Sequence, residues 1–112
     1  MSFEGVWKVE MLGPYGWENL STAFLEDGRM LGASANHYSI GRYEANGDTI
    51  NVSTRITQYG EKRTVFGVQR DVFDVRMEVE VNSTGELAGL AYPADNDNFH
   101  VNVRRTRLGD MA

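Results

Sequence analysis

The sequence has 112 residues, enough for a single hydrophobic core, so we expect one domain over residues 1–112. Apolar residues make up 41% and aromatic residues 11% of the chain, which is typical of folded proteins and argues against disorder. The formal net charge of -5 disfavours broad attraction to nucleic acid or anionic lipid, and the absence of cysteine excludes disulfides and thiolate metal sites.

The first predicted strand covers residues 5–11. Trp7, Val9 and Met11 alternate with Lys8 and Glu10, which is the two-residue period of a strand with one buried face. Neither a charged leader nor a long apolar segment stands near this strand, so we expect no signal peptide, no membrane span and a cytoplasmic location.

Turn sequences divide the next part of the chain into short strands. Gly13-Pro14-Tyr15-Gly16 and Glu26-Asp27-Gly28-Arg29 both combine residues that favour tight turns. We therefore predict strands over residues 19–25 and 30–34.

The clearest hairpin spans residues 38–57. Asn46-Gly47 lies between its arms, and this pair predicts a two-residue type I′ turn because both residues adopt positive φ at low cost. In the second arm Ile50, Val52 and Ile56 share one face, so this arm is predicted to be a half-buried strand.

The C-terminal half contains the most regular strand of the sequence, residues 72–81, whose odd-numbered positions are all apolar. Before it, residues 58–71 are the least regular part of the chain, and a connection of this length is typical of a lid or a binding loop. Further strands are predicted over residues 86–92 and 98–107. In the last of these, the basic run RRTR at residues 104–107 is interpreted as an exposed face paired with nearby acids, not as a nucleic-acid site.

Eight short strands separated by turns, with no convincing amphipathic helix, predict an all-β fold. Because each strand has one apolar face, the sheet must close on itself or pack against a second sheet. The short turns favour closure, so we predict a single antiparallel up-and-down eight-stranded calycin/lipocalin-like β-barrel. The interior of such a barrel is either filled by side chains or holds one small ligand.

Catalytic and metal sites find little support in the sequence. His37 and His100 have no spaced ligand partners, whereas a catalytic zinc needs three protein ligands. The serines lack the glycines of a nucleophile elbow. We therefore expect no enzyme, no metal and no cofactor. A carboxylate and arginine pair inside the barrel, for instance around Arg42, is the enzyme alternative, although nothing in the spacing requires it.

Two candidate binding regions follow from the strand pattern. Large residues predicted to point into the barrel would form either a packed core or a cavity for a small apolar ligand: Trp7, Phe24, Tyr43, Phe73, Met77 and Phe99. The segment around Phe66 would be the lid of that cavity. The second region is the acidic tip of the hairpin, where Glu44 and Asp48 could contact a basic partner.

The order of several motifs carries a family resemblance. The motifs are Gly5-Val6-Trp7-Lys8-Val9, Glu26-Asp27-Gly28-Arg29-Met30-Leu31-Gly32, Tyr38-Ser39-Ile40-Gly41-Arg42-Tyr43, Gly47-Asp48-Thr49-Ile50-Asn51-Val52 and Thr64-Val65-Phe66-Gly67. Their order and spacing, over about residues 5–108, resemble the GrlR-like family of small bacterial proteins. The namesake of that family represses the expression of type III secretion genes.

The resemblance implies a calycin-like barrel that forms a homodimer and acts by binding a protein, without catalysis. In the family's namesake, contact with a transcriptional activator is attributed to an acidic run at the corresponding hairpin, where this chain has Glu44 and Asp48. The first functional hypothesis is therefore a regulator that binds a protein partner through these two acids. The alternative is a lipocalin-like binder of a small apolar ligand inside the barrel, with Trp7, Tyr43, Phe66, Phe73, Met77 and Phe99 as lining residues.

Overall fold

The computed structural model describes residues 3–60, 71–95 and 100–110. Within these ranges no helix is long and apolar enough to cross a membrane. The strands are β1 (Gly5–Gly13), β2 (Gly16–Glu26), β3 (Arg29–Ala33), β4 (His37–Asn46), β5 (Thr49–Gln58), β6 (Val72–Val81), β7 (Leu87–Pro93) and β8 (Val101–Gly109). Each strand pairs with its neighbour in sequence and β8 pairs antiparallel with β1, so the sheet closes. The predicted antiparallel up-and-down eight-stranded barrel is confirmed, and its topology is consistent with a calycin/lipocalin-like barrel.

The period-2 pattern decides which side chains face the interior. On β6, which has the predicted bounds, Phe73, Val75 and Met77 are buried and the residues between them are exposed. Ile50, Val52 and Ile56 on β5 are buried as predicted. The inward apolar residues form one core, which is the main source of stability for a single domain of this size.

Phe24 is an exception to the predicted core. It lies on the outer face of β2 and is 38% exposed, so the expectation that it points into the barrel was wrong. Phe24 and Leu25 are adjacent, and neighbouring residues of a strand face opposite sides of the sheet. Leu25, which pairs with Met30, is fully buried and therefore fixes Phe24 on the outside.

The turn chemistry also differs from the prediction. The hairpin between β4 and β5 pairs Asn46 with Thr49, so its two loop residues are Gly47 and Asp48. Only Gly47 has positive φ, at 62°, which fits the first central position of a type II′ turn. The type I′ pattern, with two positive φ values, occurs instead at Asp27 (55°) and Gly28 (75°) between β2 and β3.

Two inward-facing glycines allow neighbouring strands to approach closely. A Cβ added to Gly89 would collide with the carbonyl oxygen of Glu78 and lie 2.9 Å from Val79 Cα. A Cβ on Gly41 would collide with the carbonyl oxygen of Ser53. Glycines at such positions permit the sharp bends that a small barrel needs in order to close.

We expect Gly89→Ala to lower the free energy of unfolding by about 1–3 kcal/mol, because the added methyl group must displace backbone. Gly109→Ala is the control, since a Cβ at Gly109 meets no atom within 4 Å and should change the stability by less than about 0.5 kcal/mol. Urea unfolding of both variants measures the difference. Equal stabilities would show that the close approach at Gly89 does not constrain the fold.

Candidate functional site

The interior is filled with apolar groups at the end where β1 begins and β8 ends. Trp7 is fully buried, and its Nε1 donates a hydrogen bond to the carbonyl oxygen of Phe3 at 3.0 Å. The guanidinium carbon of Arg107 lies 4.6 Å from the centroid of the Trp7 ring, within the range of a cation–π contact. Arg107 also donates to the carbonyl oxygen of Glu4. Trp7 is therefore a structural anchor of this end of the barrel.

The other predicted cavity residues divide into two groups. Phe73 and Met77 are 4% exposed and face the interior, and Tyr43 packs against the same core while remaining partly exposed. Desolvation raises the pKa of the Tyr43 phenol, so the hydroxyl stays protonated at neutral pH. Phe66 and Phe99 lie outside the described residues, as does the segment predicted to be a lid.

Arg105 is the most unusual side chain of the interior. It is 1% exposed and lies between Val9 of β1 and Leu87 of β7, both fully buried. Its Nη2 lies 3.2 Å from Met77 Sδ, which is a weak acceptor, and its Nε and Nη1 have no hydrogen-bond partner. Burial lowers the pKa of Arg105 to about 10, so the group is still a cation at neutral pH.

The interpretation of residues 104–107 as an exposed face was wrong for Arg105. Arg104 does face outward, where its Nε lies 3.0 Å from Glu10 Oε1 and its guanidinium covers the ring of Trp17. Arg105 must then face inward, because it continues the phase of Val101 and Val103. Extending that phase along β8 would have found the buried cation from the sequence.

Small and hydroxyl-bearing residues cover the part of the wall formed by β2, β3 and β4. A Cβ on Gly32 would collide with Ser39 Oγ and lie 3.6 Å from Ser21 Oγ, so the two buried hydroxyls converge there. Thr54 on β5 adds a buried hydroxyl, and its Oγ1 has no hydrogen-bond partner. The buried hydroxyls share the inward face of this wall with Leu25 and Met30, so the wall presents both polar and apolar groups to the interior.

A groove of about 510 Å³ runs along the outer surface of β4 to β7. Its outward-facing residues are Arg42, Glu44, Asn51, Ser53, Arg76, Glu78 and Tyr92. The hydroxyl of Tyr92 donates to Glu78 Oε1 at 2.7 Å. Of the two predicted partner-binding acids, Glu44 borders this groove, and Asp48 is exposed in the β4–β5 turn beyond it. Arg42 is exposed here, so the structure does not place it inside the barrel.

The two histidines differ in burial. His37 is the buried first residue of β4, and its Nδ1 lies 2.7 Å from Ser34 Oγ. His100 is exposed. Among the described residues, no three His, Asp or Glu side chains are grouped so that they could hold a metal ion.

The chain matches no protein-family model and no curated protein.

We expect Arg105→Met to raise the free energy of unfolding of the ligand-free protein by about 1–4 kcal/mol, since an apolar side chain of similar length removes an uncompensated buried charge. The folded-state pKa is lowered, so the penalty is complete below pH about 10 and decreases as the pH rises further. Denaturant unfolding at neutral pH measures the change.

Arg29→Met is the matched control because it removes the same charge from an exposed position on β3, where we expect a change within about 0.5 kcal/mol. A less stable Arg105→Met variant would show instead that the buried guanidinium contributes net stability to the fold.

Proposed function

We propose that the barrel binds a small molecule with an apolar body in its interior and that it acts by binding alone. The observation that carries this proposal is the buried Arg105, whose Nε and Nη1 have no hydrogen-bond partner in a mostly apolar interior. A buried polar group without a hydrogen bond costs about 1–3 kcal/mol, and more when it is charged. Folding alone gives no reason to keep such a group, whereas a ligand could satisfy it.

The composition of the interior supports the same proposal. Binding sites for small molecules are mostly apolar and contain a few polar groups that orient the ligand. Here Trp7, Met77 and the other core residues supply apolar surface, and Arg105 with Thr54 supplies unsatisfied polar atoms. An eight-stranded barrel has the right diameter to hold one small ligand.

Native mass spectrometry combined with dye binding tests the proposal. We expect the purified protein to carry a non-covalent adduct that is lost on denaturation. After solvent extraction the protein should bind the neutral apolar dye N-phenyl-naphthylamine with saturation at one dye per chain. A neutral dye is chosen so that the result does not depend on the charge of Arg105. An adduct-free protein that also fails to bind the dye would show that the interior is packed.

Regulation through a protein partner is the second proposal, in the manner that the GrlR-like resemblance implies. It is favoured by the outer groove, since Glu44 borders a concave surface that already alternates basic and acidic residues. Arg42 and Arg76 flank Ser53 in one cross-strand row, and Glu44 and Glu78 flank Asn51 in the next. A partner with complementary charges would be oriented by these rows.

A homodimer in the cytoplasm belongs to this second proposal. Phe24, Leu31 and Ile40 form one cross-strand row on the outer face and are 38%, 45% and 59% exposed. An exposed apolar row of this kind is typical of surfaces that bind other proteins. The cysteine-free sequence suits a reducing compartment.

Replacing both Glu44 and Asp48 with Lys should abolish the capture of a protein partner from host lysate by the immobilised chain. The control replaces Glu26 and Asp95, two exposed acids outside the groove, with Lys, so that the net charge changes by the same amount as in the Glu44 and Asp48 variant. Capture that is lost only in the Glu44 and Asp48 variant supports this proposal. Capture that both variants retain would remove these acids from the interface.

A further inference from the structure

We infer that Arg105 is the anchor for the carboxylate of an amphipathic ligand, whose apolar body occupies the interior of the barrel. This inference rests on the proposed ligand-binding function and names the chemical class of its ligand. It is carried by the geometry of Arg105, by the absence of a buried acid in the described residues, and by the apolar groups around the guanidinium.

The arginines on the outside of the same barrel show what the guanidinium of Arg105 lacks. Arg55 uses its Nε and Nη2 to bind the two carboxylate oxygens of Asp74 at 2.8 and 3.3 Å. Arg104 binds the two oxygens of Glu10 with the same edge, at 3.0 and 3.4 Å. In Arg105 this edge has only Met77 Sδ near Nη2 and nothing at Nε. A carboxylate fits this edge because its two oxygens match the two parallel donors; it would bind the unpartnered Nε and replace the weak acceptor Met77 Sδ at Nη2.

The charge balance of the interior requires a monovalent anion. Among the described residues the buried polar set contains Arg105 and neutral or histidine side chains, and it contains no Asp or Glu. A carboxylate would neutralise the single cation. A phosphate dianion would leave one charge uncompensated in an apolar environment, which is strongly unfavourable. The ligand class is therefore a carboxylic acid in its ionised form.

The surroundings of Arg105 require the rest of the ligand to be apolar. Its strand neighbours Val9 and Leu87 are 1% and 0% exposed, and Met77, which its Nη2 contacts, is 4% exposed. Polar groups on the ligand body would lose their hydration here without gaining partners. Besides the two Arg105 nitrogens, Thr54 Oγ1 is the one buried side-chain oxygen or nitrogen without a hydrogen-bond partner in the described part of the chain. It offers a single additional hydrogen bond to the ligand. A saturated or aromatic monocarboxylate fits both requirements.

Matched ligand pairs test the anchor. The full chain, after solvent extraction, is titrated by calorimetry with octanoate, decanoate and dodecanoate and with the corresponding alcohols, octanol, decanol and dodecanol. In the wild-type protein the best carboxylate should bind at least about tenfold more tightly than its alcohol, which corresponds to one charge-assisted hydrogen-bonded contact. In Arg105→Met this preference should disappear while the alcohol still binds.

Two further variants separate the role of the planar guanidinium of Arg105 from the role of its charge. Arg29→Met removes an exposed charge and should keep the wild-type preference for the carboxylate. Arg105→Lys retains the charge but lacks the planar fork, so its preference should lie between those of the wild type and Arg105→Met. Because Arg105→Met is expected to be the more stable protein, misfolding is not the expected cause of a lost preference, and circular dichroism checks this.

The outcomes distinguish this inference from the proposed function. If the wild type binds carboxylates and alcohols equally, or if Arg105→Met keeps the preference, the anchor is wrong and ligand binding in the interior stands. If the wild type binds none of these ligands and does not bind the neutral dye, both the anchor and the proposed function are wrong.

Discussion

The pairing of β1 with β8 is the constraint on which the rest of this structure depends. It joins the two ends of the chain, removes the open edges of the sheet, and thereby creates an interior. The register of this pairing places Trp7 opposite Arg107 and Val9 opposite Arg105. The first pair gives a cation–π contact that anchors one end of the barrel. The second buries a guanidinium beside an apolar neighbour, so the same closure that stabilises the fold also buries a charge whose Nε and Nη1 have no hydrogen-bond partner.

The alternation of apolar and polar residues along each strand was sufficient to predict the fold class, because each strand must bury one face. β6 is the clearest case, since five apolar residues at alternate positions admit only one inward phase. Pattern failed where two apolar residues are adjacent, as at Phe24 and Leu25, because pairing with β1 and β3 decides which of them is buried. The β4–β5 turn was misplaced by one residue for a related reason. Propensity favours Asn46-Gly47, but the register of ten paired residues fixes the loop at Gly47 and Asp48.

The candidate site was less predictable than the fold. Trp7, Tyr43, Phe73 and Met77 were expected to face the interior, and they do. Arg105 was missed because an arginine in a basic run is usually solvated. The interpretation therefore gave more weight to its charge than to its position in the inward-facing phase of β8. The sequence also gives no sign that Nε and Nη1 lack partners, since this depends on which side chains of β6 reach across the barrel. In contrast to Arg105, the outward Arg104 has a carboxylate partner, as predicted for residues 104–107, and the outward Arg55 has one too.

The interior and the outer groove are built from the same strands, which makes the two proposed functions separable. On β6, Met77 faces Arg105 inside the barrel, while Arg76 and Glu78 on either side of it line the groove outside. On β4, Tyr43 faces inward between Arg42 and Glu44, which face outward. Strand alternation therefore assigns each side chain to one surface only. A substitution at an inward position tests the ligand without changing the charges of the groove, and a substitution at an outward position does the reverse. The two proposals do not exclude each other, since Arg105 is buried in the interior and the charged residues of the groove are exposed on the outer face.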